Sequence, residues 1–94
     1  MTTPDPHNVV HDPAAGRFEL RVEGRLCELV YHRAGGTIVF THTGVPPELE
    51  GRGLGSLLVR AGLDYARAQG LKVVPLCPFV GAYLRRHPEY QDLV

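Results

Sequence analysis

The chain has no surplus of charge. Its ten basic and ten acidic residues cancel to a formal net charge of zero. Without a basic excess there is no electrostatic footprint for a phosphate backbone, so nucleic acid is not an expected partner. No block of like charge marks a tail or a membrane-binding patch. No apolar run approaches the ~18 residues that cross a bilayer, and no charged-then-apolar segment opens the chain. These absences predict a soluble, cytoplasmic protein with no membrane partner. Cysteine is scarce too: Cys27 and Cys77 are the only two, far apart in sequence. Two thiols cannot build the disulfide framework of a small secreted domain, and free thiols are expected. No CxxC pair offers a zinc site, and no metal is expected. Internal repeats and low-complexity segments are also missing.

What remains is enough for one domain over residues 1–94. Hydrophobic residues make up 44% of the 94, which supports a single core and argues against disorder. Residues 1–7 carry Pro4 and Pro6 among polar neighbours and are expected to be loose. "HNVVHD" reads as a short strand ended by Pro13 and the turn "AAG". "RFELRVEG" alternates Phe18, Leu20 and Val22 against Arg17, Glu19 and Arg21, a strand with one wet face. "RLCELVYHR" is a third strand. "TIVFTHTGV" is a fourth, with Ile38, Phe40 and His42 on one face. Short glycine turns between them predict an antiparallel meander.

The pattern changes at Pro46-Pro47. From Leu54, the apolar positions Leu57, Leu58, Ala61, Tyr65 and Ala68 follow helical spacing, and Gly70 is a C-terminal stop. "LKVVPLC" suits a buried strand, and reaching it through a helix predicts a parallel crossover. A second helix runs from Pro78 or Phe79 to His87, since Pro88 ends it, and "EYQDLV" is expected to add a short last strand. The fold class is α+β.

The segment "PPELEGRGLGSLL" sets three glycines, Gly51, Gly53 and Gly55, at alternate positions just where the helix begins. The first turn of a helix has amides without partners and a partial positive charge. Glycine there admits a close ligand and a positive φ, which together make an anion site suited to phosphate. A loop that merely turns the chain is the plainer alternative. The segment is not a P-loop, because Gly55 is followed by Ser56 with no lysine. Nor is it a dinucleotide fingerprint, because the third glycine comes one position early and the preceding strand ends in Pro-Pro.

"VPPELEGRGLGSLLVRAGLDYARAQG" resembles the acetyl-CoA-binding segment of the GNAT superfamily of N-acetyltransferases, where Gln/Arg-x-x-Gly-x-Gly/Ala lies between the fourth strand and the next helix. Glu50 stands where Gln or Arg is usual. "FTHTGVPPELEGRGLG" and "VVPLCPFVGAYLRRHPEY" are similar to signatures of the small single-domain branch, and the resemblance covers Thr37 to Tyr90. It implies that the amides of Gly51, Arg52, Gly53, Leu54, Gly55 and Ser56 hold the CoA diphosphate, with the Arg52 side chain adding charge. It implies that Thr43-Gly44-Val45 pairs with the pantetheine amides in a gap between the fourth and fifth strands. Pro46-Pro47, which cannot continue a ladder, is consistent with that parting.

Three residues are candidates for chemistry. Cys77 precedes Pro78, a favoured first helical residue, so its thiol lies near a helix N-terminus that favours thiolate. An inert buried cysteine is the alternative. His42 matches a family histidine in "THT", and its imidazole is a candidate base for an attacking amine or for Cys77. Tyr83, in a region where many members use a tyrosine, is a candidate acid for the departing CoA thiolate. The alternatives for these two are a core-edge histidine and a packing aromatic. Arg85-Arg86 reads as a solvated helix end, His87 as a cap and Cys27 as structural.

The resemblance implies an acetyl-CoA-dependent N-acetyltransferase, moving the acetyl group to an amine directly or through Cys77. A CoA-binding module without catalysis and a domain that binds no cofactor are the competing functions. Only "DPAAG" joins the first two strands, so the helices that wall the acceptor site in larger members are missing. An open site suits an amine on a protein or a polyamine. A monomer or weak dimer is expected.

Overall fold

The computed structural model describes residues 8–94. The N-terminal segment expected to be loose lies outside them. Four strands run first: β1 (Val10–Asp12), β2 (Arg17–Val22), β3 (Arg25–Ala34) and β4 (Thr37–Gly44). A 3-10 turn (Pro47–Leu49) leads to helix α1 (Leu54–Gln69), then β5 (Lys72–Pro75), α2 (Pro78–Arg86) and a closing 3-10 segment (Pro88–Leu93). The strands form one sheet in the order β1-β2-β3-β4-β5. The first four are an antiparallel meander, and β5 joins β4 in parallel after the α1 crossover, as the spacing predicts.

The alternation in β2 and β3 buries Phe18, Leu20, Cys27, Leu29 and Tyr31 on one face of the sheet, with Ile38 and Phe40 from β4. The helix laid on that face is α1. Its buried stripe is Leu54, Gly55, Leu58, Val59, Gly62, Leu63 and Ala66. The sequence reading rotates this stripe: Leu57, Ala61 and Tyr65 are only half-buried and Ala68 is exposed. Gly62 explains the difference. A Cβ built there would stand 2.9 Å from Leu29 Cδ2 and 2.9 Å from Phe40 Cε1. The helix therefore touches the sheet through a residue with no side chain, which a hydrophobic pattern does not register.

Two expectations about the later elements change. Strand β5 is an edge strand, with only Val73 buried and Val74 38% exposed, because no helix among the described residues covers the sheet's other face. The tail "EYQDLV" is 3-10 helix, not strand. Pro88 at its start has a fixed φ and no N–H to give a ladder. Tyr90 and Leu93, three residues apart, then turn together into the core. The Tyr90 hydroxyl donates to Asp64 at 2.7 Å, and its pKa is pushed up to about 12 by burial and by that carboxylate. Arg67 clasps Asp92 with two N–H bonds of 2.7 and 2.9 Å.

Replacing Gly62 with alanine forces a methyl group against two fully buried side chains. Overpacking of this kind costs about 1–3 kcal/mol, and alanine recovers only about 1 kcal/mol through helix propensity. Gly62→Ala is expected to lower the midpoint of urea unfolding; an unchanged midpoint would show that helix and sheet are not in this close contact.

Candidate active site

The site begins with one extra residue in β4. Tyr31 pairs with Phe40, but the next pair is Val30 with His42. Thr41 has no partner across the ladder and bulges. Its hydroxyl fills the irregularity by donating to Val30 O at 3.3 Å. A bulge shifts the inside-outside alternation of a strand by one. Beyond it, Thr43 rather than His42 shares the buried face with Ile38 and Phe40, because Thr43 pairs with the buried Leu29. His42 is exposed on the opposite face, alongside Val30. The shared face expected for Ile38, Phe40 and His42 is thus corrected.

The same stretch parts the sheet. The β4–β5 ladder ends at Phe40 with Pro75, and a last bond runs from the Cys77 N–H to Phe40 O at 3.0 Å. β4 continues with β3 to Gly44, while the other chain turns into α2 at Pro78. The parting thus starts well before Pro46-Pro47, which serve instead to end β4 and open the 3-10 turn. Its origins are the bulge and the two prolines, Pro75 and Pro78, that stop β5.

A cavity of about 600 Å³ lies at the parting. Every residue expected to hold the cofactor lines it, except Arg52. Gly51 and Gly53 have φ of +85° and +76°, which places the chain for the start of α1 without a Cβ in the way. Gly53 caps the helix with no side-chain bond, and the first intrahelical bond reaches back from the Leu57 N–H. The amides of Leu54, Gly55 and Ser56 are therefore unused within the helix and stand at the cavity. Gly55 has a different task. A Cβ there would stand 2.8 Å from Phe79 Cζ, so its bareness lets the Phe79 ring lie against α1. Arg52 turns away and donates to Glu23 at 2.7 Å.

Cys77 caps α2 and is 5% exposed. Its sulfur lies 3.3 Å from the Thr43 hydroxyl. Burial pushes the thiol up. The Thr43 hydroxyl and the backbone amides of Val80, Phe79 and Thr43 outweigh it, so the pKa lies below the ordinary value. Cys27 is fully buried with no such donors, and burial alone raises it. Neither forms a disulfide. Thr43 both lines the cavity and holds the thiol, and nothing in its sequence context signals the second role.

The other two chemical candidates stand apart from the thiol. His42 lines the cavity, but it projects from the face of β4 opposite Thr43, so the structure does not bring it to Cys77. Tyr83 is buried outside the cavity lining, its ring stacked on His87 at 3.9 Å. His87 is the cap expected of it. Phe79 and Arg86, which were not read as site residues, also line the cavity. Their seven-residue spacing on one helix face was the available signal.

A sheet parted between its fourth and fifth strands, over a helix that starts with bare amides, is the architecture of the N-acetyltransferase class. A GCN5-like protein from Staphylococcus aureus has a solution structure that matches with a TM-score of 0.74 at 29% identity, covering 96% of this chain and 89% of that one. The chain belongs to the GCN5-related N-acetyl-transferase family, whose model matches residues 17–93. It is similar to Protein NATD1 of Mus musculus, 33% identical over 93 residues that cover 94% of this chain and 83% of the relative. Protein NATD1 of Homo sapiens is also 33% identical, over 94% of this chain and 80% of its own length. Acetyl transfer is the general chemistry of this family.

A lowered thiol pKa has a direct readout, since the thiolate is the nucleophile. The pH midpoint for alkylation of Cys77 by iodoacetamide is expected below that of an ordinary free thiol, with Cys27 unmodified in the folded protein. Thr43→Val removes a donor to the thiolate and should raise the midpoint, while Thr43→Ser should restore it. A midpoint that ignores both changes would remove Thr43 from the account.

Proposed function

We propose that this chain is an acetyl-CoA-dependent N-acetyltransferase that works through Cys77. The observation that carries the reading is Thr43, which joins the cavity to a thiol held toward its thiolate form. The residues present fit the donor. Three unbonded amides at the head of a 16-residue helix suit a diphosphate. The opened edge from Thr43 to Val45, at the end of β4, suits the amides of an extended pantetheine arm. The donor, when bound, supplies an acetyl thioester.

In this reading the Cys77 thiolate would take the acetyl group from the donor thioester and release the CoA thiolate; an amine would then attack the acetyl-cysteine and release the Cys77 thiolate. Thr43 holds the sulfur in place, and the amides at the head of α2 favour its charge. His42, which lines the cavity from the other face of β4 and is not brought to Cys77, would take the proton of the attacking amine through a water. The turn from Asp12 to Arg17 supports an exposed acceptor, because it is too short to wall the site. An amine on a protein or a polyamine is the acceptor proposed.

A CoA-binding module without catalysis is the second reading. Two placements favour it: Tyr83 lies outside the cavity lining and Cys77 is nearly buried.

Thermal melting with acetyl-CoA, followed by turnover with polyamine and peptide amines, separates the readings. Donor at 100 times its Kd should add about 2.7 kcal/mol to stability. Cys77→Ala is expected to retain that shift, lose turnover, and fail to collect radiolabel from acetyl-CoA that the parent protein retains. Full turnover in Cys77→Ala would leave direct transfer to the amine. A melting shift with no turnover on any amine would favour the module, and no shift would refute both.

A further inference from the structure

The first position of the family's glycine motif is Glu50 in this chain, and Glu50 lines the cavity. A carboxylate beside bound phosphate is repulsive. Arg52, the cation nearest in sequence, does not offset it, since it is directed at Glu23 and is absent from the lining. The lining contains one arginine, Arg86, from the last turn of α2.

Arg86 reaches the cavity for a structural reason. It lies seven residues after Phe79, two helical turns along the same face. The Phe79 ring lies against Gly55, which turns that face of α2 toward the start of α1. Arg17, Arg25, Arg52, Arg60 and Arg67 each meet a carboxylate. Among the described residues Arg21, Arg33, Arg85 and Arg86 meet none, and of these four Arg86 alone lines the cavity. An arginine without an anionic partner thus stands with unbonded helix amides around one space.

We propose that Arg86 recognises a phosphate of the donor, supplying from α2 the positive charge that Glu50 withholds from the motif. The inference rests on the cavity being the acetyl-CoA site. A guanidinium binds phosphate through paired N–H donors, which lysine does not reproduce. Arg86 therefore makes the chain selective for CoA thioesters over pantetheine thioesters, which carry no phosphate. The phosphate engaged is in the diphosphate or on the ribose.

The test is titration calorimetry with acetyl-CoA, acetyl-3′-dephospho-CoA and acetylpantetheine. For Arg86→Gln, the Kd for acetyl-CoA is expected to rise about tenfold, the lower end for hydrogen bonds to charged groups at an exposed position. The Kd for acetylpantetheine should not change. A loss that persists with the dephospho donor assigns Arg86 to the diphosphate; a loss seen only with acetyl-CoA assigns it to the ribose phosphate. Arg85→Gln should bind as the parent does, and Glu50→Gln should tighten acetyl-CoA. Arg86 is exposed, so melting without ligand should be the same in all variants. Equal Kd values for parent and Arg86→Gln, or equal weakening toward acetylpantetheine, would overturn the assignment while leaving the donor site in place. Failure of the parent protein to bind any of the three would instead remove the functional reading beneath it.

Discussion

Thr41 is a residue of β4 to which β3 has no answer, and the rest of the site follows from it. A strand alternates sides with a period of two, so one unpaired residue exchanges the two faces for everything beyond it. Before the bulge, Ile38 and Phe40 enter the core; after it, Thr43 takes that side and His42 goes to the other. The β4–β5 ladder ends next to the same point. One insertion thereby brings a hydroxyl to the Cys77 sulfur, frees the edge of β4 and assigns the imidazole to the uncovered face.

The glycines beside this parting look like one motif and do two jobs. Gly51 and Gly53 are backbone residues in the strict sense: their positive φ steers the chain so that α1 starts with open amides. Gly55 lies inside the helix, and its value is the space that Phe79 occupies. That contact ties the N-terminal turns of α1 and α2 together. Unbonded amides and a thiol, each at a helix start, become neighbours because two helix heads meet over one bare Cα. Gly62 repeats the device two turns later, against Leu29 and Phe40. The helix that presents the amides is thus held to β4, the strand that forms the cavity's other wall.

Charge around the cavity follows packing more than sequence order. Arg52 sits in the middle of the motif yet pairs with Glu23 at a turn of the sheet, whereas Arg86, more than thirty residues later, faces the same space as Glu50. The thiol is governed similarly. Its sulfur is buried, which opposes charge, but two elements offset this: β4 through Thr43 and α2 through its first amides. Burial with donors lowers the Cys77 thiol pKa, and burial without them raises that of Cys27.

Much of this protein is local and could be read along the chain. Alternation predicted the four-stranded meander, helical spacing and Gly70 bounded α1, Pro78 and Pro88 bounded α2, and the glycines marked the helix start. Two separated signatures pointed to the family before any fold was known. Those features depend on residues within a turn or two of each other. The bulge does not: whether Thr41 is paired depends on the register against β3, which no property of β4 alone specifies. The rotated face of α1, the exposed β5 and the 3-10 tail likewise depended on what packs against them. So did the union of Thr43 with Cys77, the separation of His42 from both, and the turn of Arg86 toward Glu50. The sequence alone determined which groups were available for chemistry. Only the tertiary structure decided which of them meet, because contact across a sheet or between helices is set by register and close approach, and neither is encoded in spacing along one element.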